Sequence, residues 1–184
     1  VPDVMRGEEV QVFGALQLLG LEDGLLVLPG THSKWVRVER GHITSFSTFM
    51  TGEFYSLLRQ HSLLARTLPA EDGPLDIAAF ERGLALARSG GSLLASAFSV
   101  RTLALFDRMA TTALPSYLSG LVIGEELRAS LVPGDQNPPV VVIGSPTLTE
   151  RYVHALRFSG VEALPVGAQA TWQGLWAIAR NLNL

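Results

Sequence analysis

Residues 25–53 read LLVLPGTHSKWVRVERGHITSFSTFMTGE, a buried-looking strand that runs into Gly-Thr-His-Ser-Lys and leaves through two further strand-like segments. Gly30 removes the Cβ that would block a close approach. Thr31 and Ser33 offer hydroxyls and Lys34 a positive charge, at a tight turn whose backbone N–H groups can converge on an anion. An ordinary hairpin would use the same residue types. The flanking sequence decides between the two readings.

The chain has 184 residues, 47% of them hydrophobic, enough for a real core in one domain or slightly more. A net charge of −3 supplies no basic field, so nucleic acid is not an expected partner. With no cysteine, disulfides, thiolate metal sites and cysteine nucleophiles are excluded. The composition suits a reducing cytoplasm, which is the expected location. The best candidate for a membrane span, 117–123, is short and followed by Glu125 and Glu126, and no span is expected. The chain opens Val-Pro-Asp-Val-Met-Arg, with neither an initiating methionine nor a signal-type apolar stretch, and so reads as the interior of a longer protein.

Outward from the turn, residues 8–19 form a helix by spacing, with Val12, Ala15, Leu16 and Leu19 on one face and two glutamates in the first turn. Strands are expected at 25–28, 34–39 and 43–49, the middle one alternating Trp35, Arg37 and Glu39 against Val36 and Val38. Thr51 begins a helix running to about residue 64. Helices over 76–88 and 92–109 are separated by Ser-Gly-Gly, and another spans 114–131. The Pro-, Gly-, Asp- and Asn-rich loop 132–139 feeds Val140 to Ile143, whose continuous β-branched run suits a strand buried on both faces. A helix over 148–158, a short strand at 161–164 and a helix over 168–180 complete the chain. Three loops then compete for one crevice at the carboxyl ends of strands: Gly30 to Ser33, Gly144-Ser145, and Val1 to Asp3 ahead of the first helix.

Pro2 to Gln11 (PDVMRGEEVQ), Leu28 to Val36 (LPGTHSKWV), Phe49 to Glu53 (FMTGE), Leu118 to Glu126 (LSGLVIGEE) and Val142 to Ser145 with Arg151-Tyr152 and Ala155-Leu156 resemble, in order, the 2-dehydro-3-deoxygalactonokinase family. The resemblance implies a fold of the actin and hexokinase superfamily: a ribonuclease-H-like α/β lobe with a three-stranded meander, a mixed sheet with flanking helices, and an inserted helical region. It implies a division into residues 1–19, the end of a sugar-side lobe and a first connecting helix; 20–167, a nucleotide-binding lobe with a helical insertion at about 54–131; and 168–184, a second connecting helix. No Asp-x-Gly-Thr first phosphate loop precedes Val1, so the chain resembles the C-terminal part of such a kinase, with the missing N-terminal lobe as its partner and little activity expected alone.

The reaction implied is ATP-dependent, Mg²⁺-assisted phosphorylation of an acidic sugar, 2-dehydro-3-deoxy-D-galactonate, at its 6-hydroxyl. Another acidic-sugar or hexose kinase, or a non-catalytic actin-like domain, is the alternative. By this resemblance Asp3 is the general base, although aspartate is also a favoured helix N-cap. Gly30, Thr31, His32, Ser33 and Lys34 form the second phosphate loop, with the alternatives that Lys34 points to solvent and His32 is a turn residue. Gly144, Ser145 and Gly124 take the adenosine, against the readings of Ser145 as an N-cap and of Gly120 and Gly124 as helix packing. Arg6 takes a substrate carboxylate or pairs with Glu9. No residue is assigned to a metal directly. Gly14, Ala170 and Gly174 mark a close helix crossing, and Trp172 and Trp176 are expected in the core rather than as a ligand platform. Apolar surface left by a lost lobe would favour pairing into a homodimer.

Overall fold

The computed structural model describes residues 1–131 and 139–181. The loop expected at 132–139 lies, apart from Pro139, outside the described residues. The chain divides into two compact units, Val1–Met50 with Asp135–Leu184, and Thr51–Gly134.

The first unit is a five-stranded sheet with three helices. α1 (Glu8–Leu19) leads to β1 (Gly24–Leu28), β2 (Ser33–Glu39) and β3 (His42–Phe49), an antiparallel meander. β4 (Val140–Ile143) pairs parallel with β1, α7 (Pro146–Phe158) follows it, and β5 (Ala163–Val166) pairs parallel with β4 before α8 (Gln169–Asn181). The order is β3-β2-β1-β4-β5. Leu26 lies opposite Val141, so β1 and β4 run the same way and finish at the same end of the sheet. All four residues of β4 are buried, as a continuous β-branched run requires. The core on one side joins Leu26, Leu28, Val36, Val38, Val141 and Ile143 to Val12, Ala15 and Leu16 of α1 and Ala170 of α8.

α1 and α8 cross at the expected small residues. A Cβ on Gly14 would overlap the Ala170 carbonyl oxygen, and one on Gly174 the Val10 carbonyl oxygen. The structure corrects two neighbouring expectations. Leu19, the last residue of α1, is exposed, and Gly14 joins Val12, Ala15 and Leu16 among the buried residues of the helix. Trp172 and Trp176 are exposed by 72% and 61%, because close backbone packing by Ala170 and Gly174 turns the tryptophans of α8 outward.

The second unit is helical: α2 (Thr51–His61), a 3₁₀ turn at Leu63–Arg66, α3 (Ile77–Arg88), two short helices α4 (Leu93–Ser96) and α5 (Ser99–Leu105), a 3₁₀ turn at Thr111–Ala113, and α6 (Leu114–Ser130). Asp76 caps α3 by accepting from the Ala79 N–H at 2.9 Å. α3 and α6 meet through Gly83 and Gly120, where a Cβ would overlap the carbonyl oxygens of Tyr117 and Phe80. Leu64, Val100, Leu114, Leu118 and Leu121 lie in the core around this crossing. The Thr51 hydroxyl, at the start of α2, donates to the buried Glu126 carboxylate of α6.

Candidate functional site

Parallel pairing makes the site. β1, β4 and β5 point the same way, so the turns that follow them emerge at one end of the sheet, where ligands of α/β proteins gather. They enclose a cavity of about 820 Å³, walled by Gly30, Thr31, His32 and Lys34 after β1 and by Gly144, Ser145 and Thr149 after β4. Gly167 and Ala168 after β5, and Glu8 and Gln11 of α1, close the remaining sides. The two glycine turns singled out in the sequence are therefore brought together. The third is not Val1 to Asp3, which lines no part of this cavity, but the Gly167 turn.

Within the Gly-Thr-His-Ser-Lys turn the residues part ways. Nothing lies within 4 Å of where a Gly30 Cβ would stand, so the space beside this backbone is open. Thr31 and His32 are exposed at the rim. Ser33 is fully buried at the start of β2 and does not line the cavity. Lys34 does not point freely to solvent: it is only 5% exposed, and it lines both this cavity and a smaller hollow of about 450 Å³ shared with Val4, Arg6 and Glu8. Trp35 is buried too, so the expected alternation along β2 gives way to a strand covered over its first half.

At the other turn Ser145 occupies the N-cap position of α7, but its side chain makes no capping bond, which leaves the hydroxyl and first-turn N–H groups available to an anion or a sugar hydroxyl. Thr149 was not foreseen. Its Oγ1 is out of contact with solvent, has no hydrogen-bond partner and sits where the cavity needs a polar wall. Gly124 goes elsewhere: it is buried in α6 of the second unit, where a Cβ would press on Ala87 and Leu84 of α3. Glu125 beside it pairs with Arg128. The structure gives Gly124 a packing role.

Asp3 is not the N-cap of α1, since that position belongs to Gly7, in the left-handed region at φ 103°. Its carboxylate instead accepts three hydrogen bonds, from the Val4 N–H (2.7 Å) and Thr48 Oγ1 (2.7 Å) on Oδ1 and the Thr48 N–H (2.8 Å) on Oδ2. The Thr48 hydroxyl is the largest influence on the Asp3 pKa; burial opposes it, and the Val4 and Thr48 N–H donors and the Lys34 charge add to it, so that the pKa lies below its ordinary value. A carboxylate offers about four lone-pair positions, so one acceptor site remains. Arg6 does not pair with Glu9: Glu9 accepts from the Gly7 N–H and Glu8 from the Arg6 N–H, tying down the entry to α1 and leaving the Arg6 guanidinium at the small hollow.

No helix among the described residues is long and apolar enough to cross a membrane. None of them form a cluster of three or more carboxylate, imidazole or thiolate groups able to cage a metal. The single carboxylate of Glu8 at the cavity fits an ion such as Mg²⁺, which keeps waters and enters with phosphate oxygens.

The chain is similar to known proteins. A Rhizobium meliloti protein assigned as a 2-dehydro-3-deoxygalactonokinase is 37% identical over 184 residues, 98% of this chain and 60% of its own length. The Escherichia coli 2-dehydro-3-deoxygalactonokinase is 34% identical over 178 residues, again 60% of its length. The chain thus spans about 60% of these curated relatives. A crystal structure of a Sinorhizobium meliloti protein assigned to the same activity superposes with a TM-score of 0.91, at 37% identity, over 98% of this chain and 61% of that one. Component A of the Acidaminococcus fermentans (R)-2-hydroxyglutaryl-CoA dehydratase superposes at 0.51 with 17% identity, covering 92% of this chain and 64% of that one, a likeness of fold alone. Both likenesses are to the ribonuclease-H-like α/β fold expected from the sequence. The model of the 2-keto-3-deoxy-galactonokinase family matches residues 1–178, across both glycine turns and the Asp3 segment, and the chain belongs to that family.

Proposed function

We propose that the protein of which this chain is part transfers the γ-phosphoryl group of ATP to the 6-hydroxyl of 2-dehydro-3-deoxy-D-galactonate. The convergence of the Gly30 and Gly144 turns on one cavity carries this reading, because one turn suits phosphates and the other a ribose and purine. The relatives' names supply the sugar. Backbone N–H groups of Gly30 and Thr31, with Thr31 Oγ1, His32 and Lys34, grip the β- and γ-phosphates from one side. Ser33 supports the turn from within the sheet. Gly144 lets the adenosine lie on the backbone, with the Ser145 and Thr149 hydroxyls as its polar partners.

The sugar hydroxyl oxygen attacks the γ-phosphorus and its proton passes to the free acceptor position of Asp3. The bond from the γ-phosphorus to the β–γ bridging oxygen breaks, and ADP leaves with the electron pair. A low pKa at Asp3 is compatible with this role, since phosphoryl transfer depends mainly on positioning and charge neutralisation. Glu8, which lines the cavity, would hold a Mg²⁺ ion, and such an ion would supply charge neutralisation at the phosphates. Arg6, at the small hollow, receives the sugar carboxylate. The relatives are longer than this chain, and we place the opposing phosphate grip and the rest of the sugar pocket in their additional length.

Coupled-assay kinetics on the complete gene product test the assignment. Asp3→Asn is expected to lower kcat by roughly 10²–10⁴ with little change in the KM for ATP. Unchanged turnover would remove Asp3 from the mechanism. Equal kcat/KM for a neutral hexose would remove the acidic-sugar assignment.

A further inference from the structure

We propose that Thr48 is the positioning residue for Asp3, and that the Lys34–Thr48 rung of the sheet sets the spacing between that carboxylate and the phosphate turn. This rests on the reading of Asp3 as the proton acceptor. Asp3 belongs to the irregular stretch before α1, which has no regular backbone pairing to hold it. Left to itself, such a stretch samples many positions. Thr48 removes that freedom from two directions, its N–H holding Oδ2 and its hydroxyl holding Oδ1. β3 is an edge strand, and the N–H it gives to Asp3 is one that the sheet can spare.

The other half of the argument is register. Thr48 stands directly opposite Lys34 in the β2–β3 ladder, and Lys34 closes the turn that begins at Gly30. Between the carboxylate and the phosphate turn there are thus only two side-chain and backbone bonds and one rung of a sheet. Such a link is short and built into the β2–β3 ladder, which pairs without interruption from Ser33 opposite Phe49 to Arg37 opposite Ser45. Reacting groups must be held to a fraction of an ångström for efficient transfer. A purely structural strap would need neither the hydroxyl nor this register.

The charged groups around Asp3 are Lys34 on β2 and, at the hollow that Lys34 shares, Arg6 and Glu8. Thr48→Val deletes the hydroxyl donor and keeps the shape, the N–H and all three charges. In the complete gene product it is expected to lower kcat by roughly 10- to 100-fold with the KM for ATP unchanged. The acidic limb of the kcat profile should move to higher pH, since a hydrogen bond that favoured the ionised form has gone. Thr48→Ser restores both, and adding Thr48→Val to Asp3→Asn costs nothing further. Should Thr48→Val fail to fold, Thr48→Ala removes the same hydroxyl and is expected to show the same kinetic split. Normal kcat and acidic limb in Thr48→Val, or equal damage in Val and Ser variants, would overturn the positioning role while Asp3→Asn stays inactive. Full turnover in Asp3→Asn would overturn the base and its positioning together.

Discussion

Glycine does opposite things in two parts of this molecule. At Gly30, in the turn after β1, an added Cβ would meet nothing within 4 Å, and at Gly144 only ordinary contacts of 3.5–3.6 Å. At Gly14 and Gly174 of the α1–α8 crossing, and at Gly83 and Gly120 of the α3–α6 crossing, it would run into backbone oxygen or nitrogen. In the helices the missing side chain is occupied by the neighbouring chain, whereas in the turns it is left open beside a cavity. What sets Gly30 and Gly144 apart is that their open space borders the cavity, whereas at the crossings the space is filled by backbone. Gly124, which the family resemblance assigns to adenosine and the Gly-x-x-x-Gly spacing to helix packing, falls with the second group.

The sharpest way to break this contrast is to fill the space. Gly14→Ala and Gly83→Ala should each destabilise by about 1–3 kcal/mol, since backbone must move to admit the methyl group. At this chain length that lowers the melting temperature by roughly 2–4 °C per kcal/mol in thermal unfolding. Gly30→Ala should do the reverse. Its φ lies outside the left-handed region and its surroundings are open, so the variant is expected to fold as well or gain about 0.4–1 kcal/mol. Its affinity for ATP by calorimetry should nevertheless fall roughly tenfold, about 1.4 kcal/mol. A stable Gly83→Ala, or a Gly30→Ala that binds ATP normally, would end the distinction.

The smallest effect separates packed contacts from ionic ones. The glycine contacts of the helix crossings are backbone against backbone and hold no ionised side chain, whereas the Asp3 strap rests on a carboxylate. Its folded pKa is lowered, so its stabilisation is present above the ordinary value of 3.8 and lost as pH falls through the lower folded value. Hydrogen exchange at the Thr48 amide should therefore accelerate in that acid range while amides of α3 and α6 stay protected. Simultaneous release of both would contradict a local strap.

Much of the architecture was written in local patterns. The meander, the buried run Val140 to Ile143 and the small-residue crossing of α1 with α8 need only period, turn residues and side-chain size. The failures share a cause: each depended on what lay across from a residue. β5 was expected at 161–164 and occurs at Ala163–Val166, because Pro165, which discourages a strand, is tolerated on an edge where no ladder donor is required. A single helix over 92–109 became two short ones broken at Ala97-Phe98, with no glycine or proline there to announce it. The tryptophans of α8 were sent outward by small residues beside them, and Lys34 was drawn inward by a hollow formed with the α1 entry. At the site, the two glycine turns were legible, but the Gly167 turn and Thr149 were not. Their importance lies only in which cavity they face.

The parallel pairing of β1 with β4 also sets an order in time. Leu26 and Val141 are more than a hundred residues apart, with the whole helical unit between them, while the Gly30 turn needs only its own hairpin. Closing so long a connection is slow compared with forming local contacts. On a ribosome the phosphate turn emerges well before the strand that completes its cavity. Under the proposed function, a nucleotide would have nothing enclosed to bind until the sheet had closed, and its binding energy would accrue to the finished fold rather than to any earlier stage.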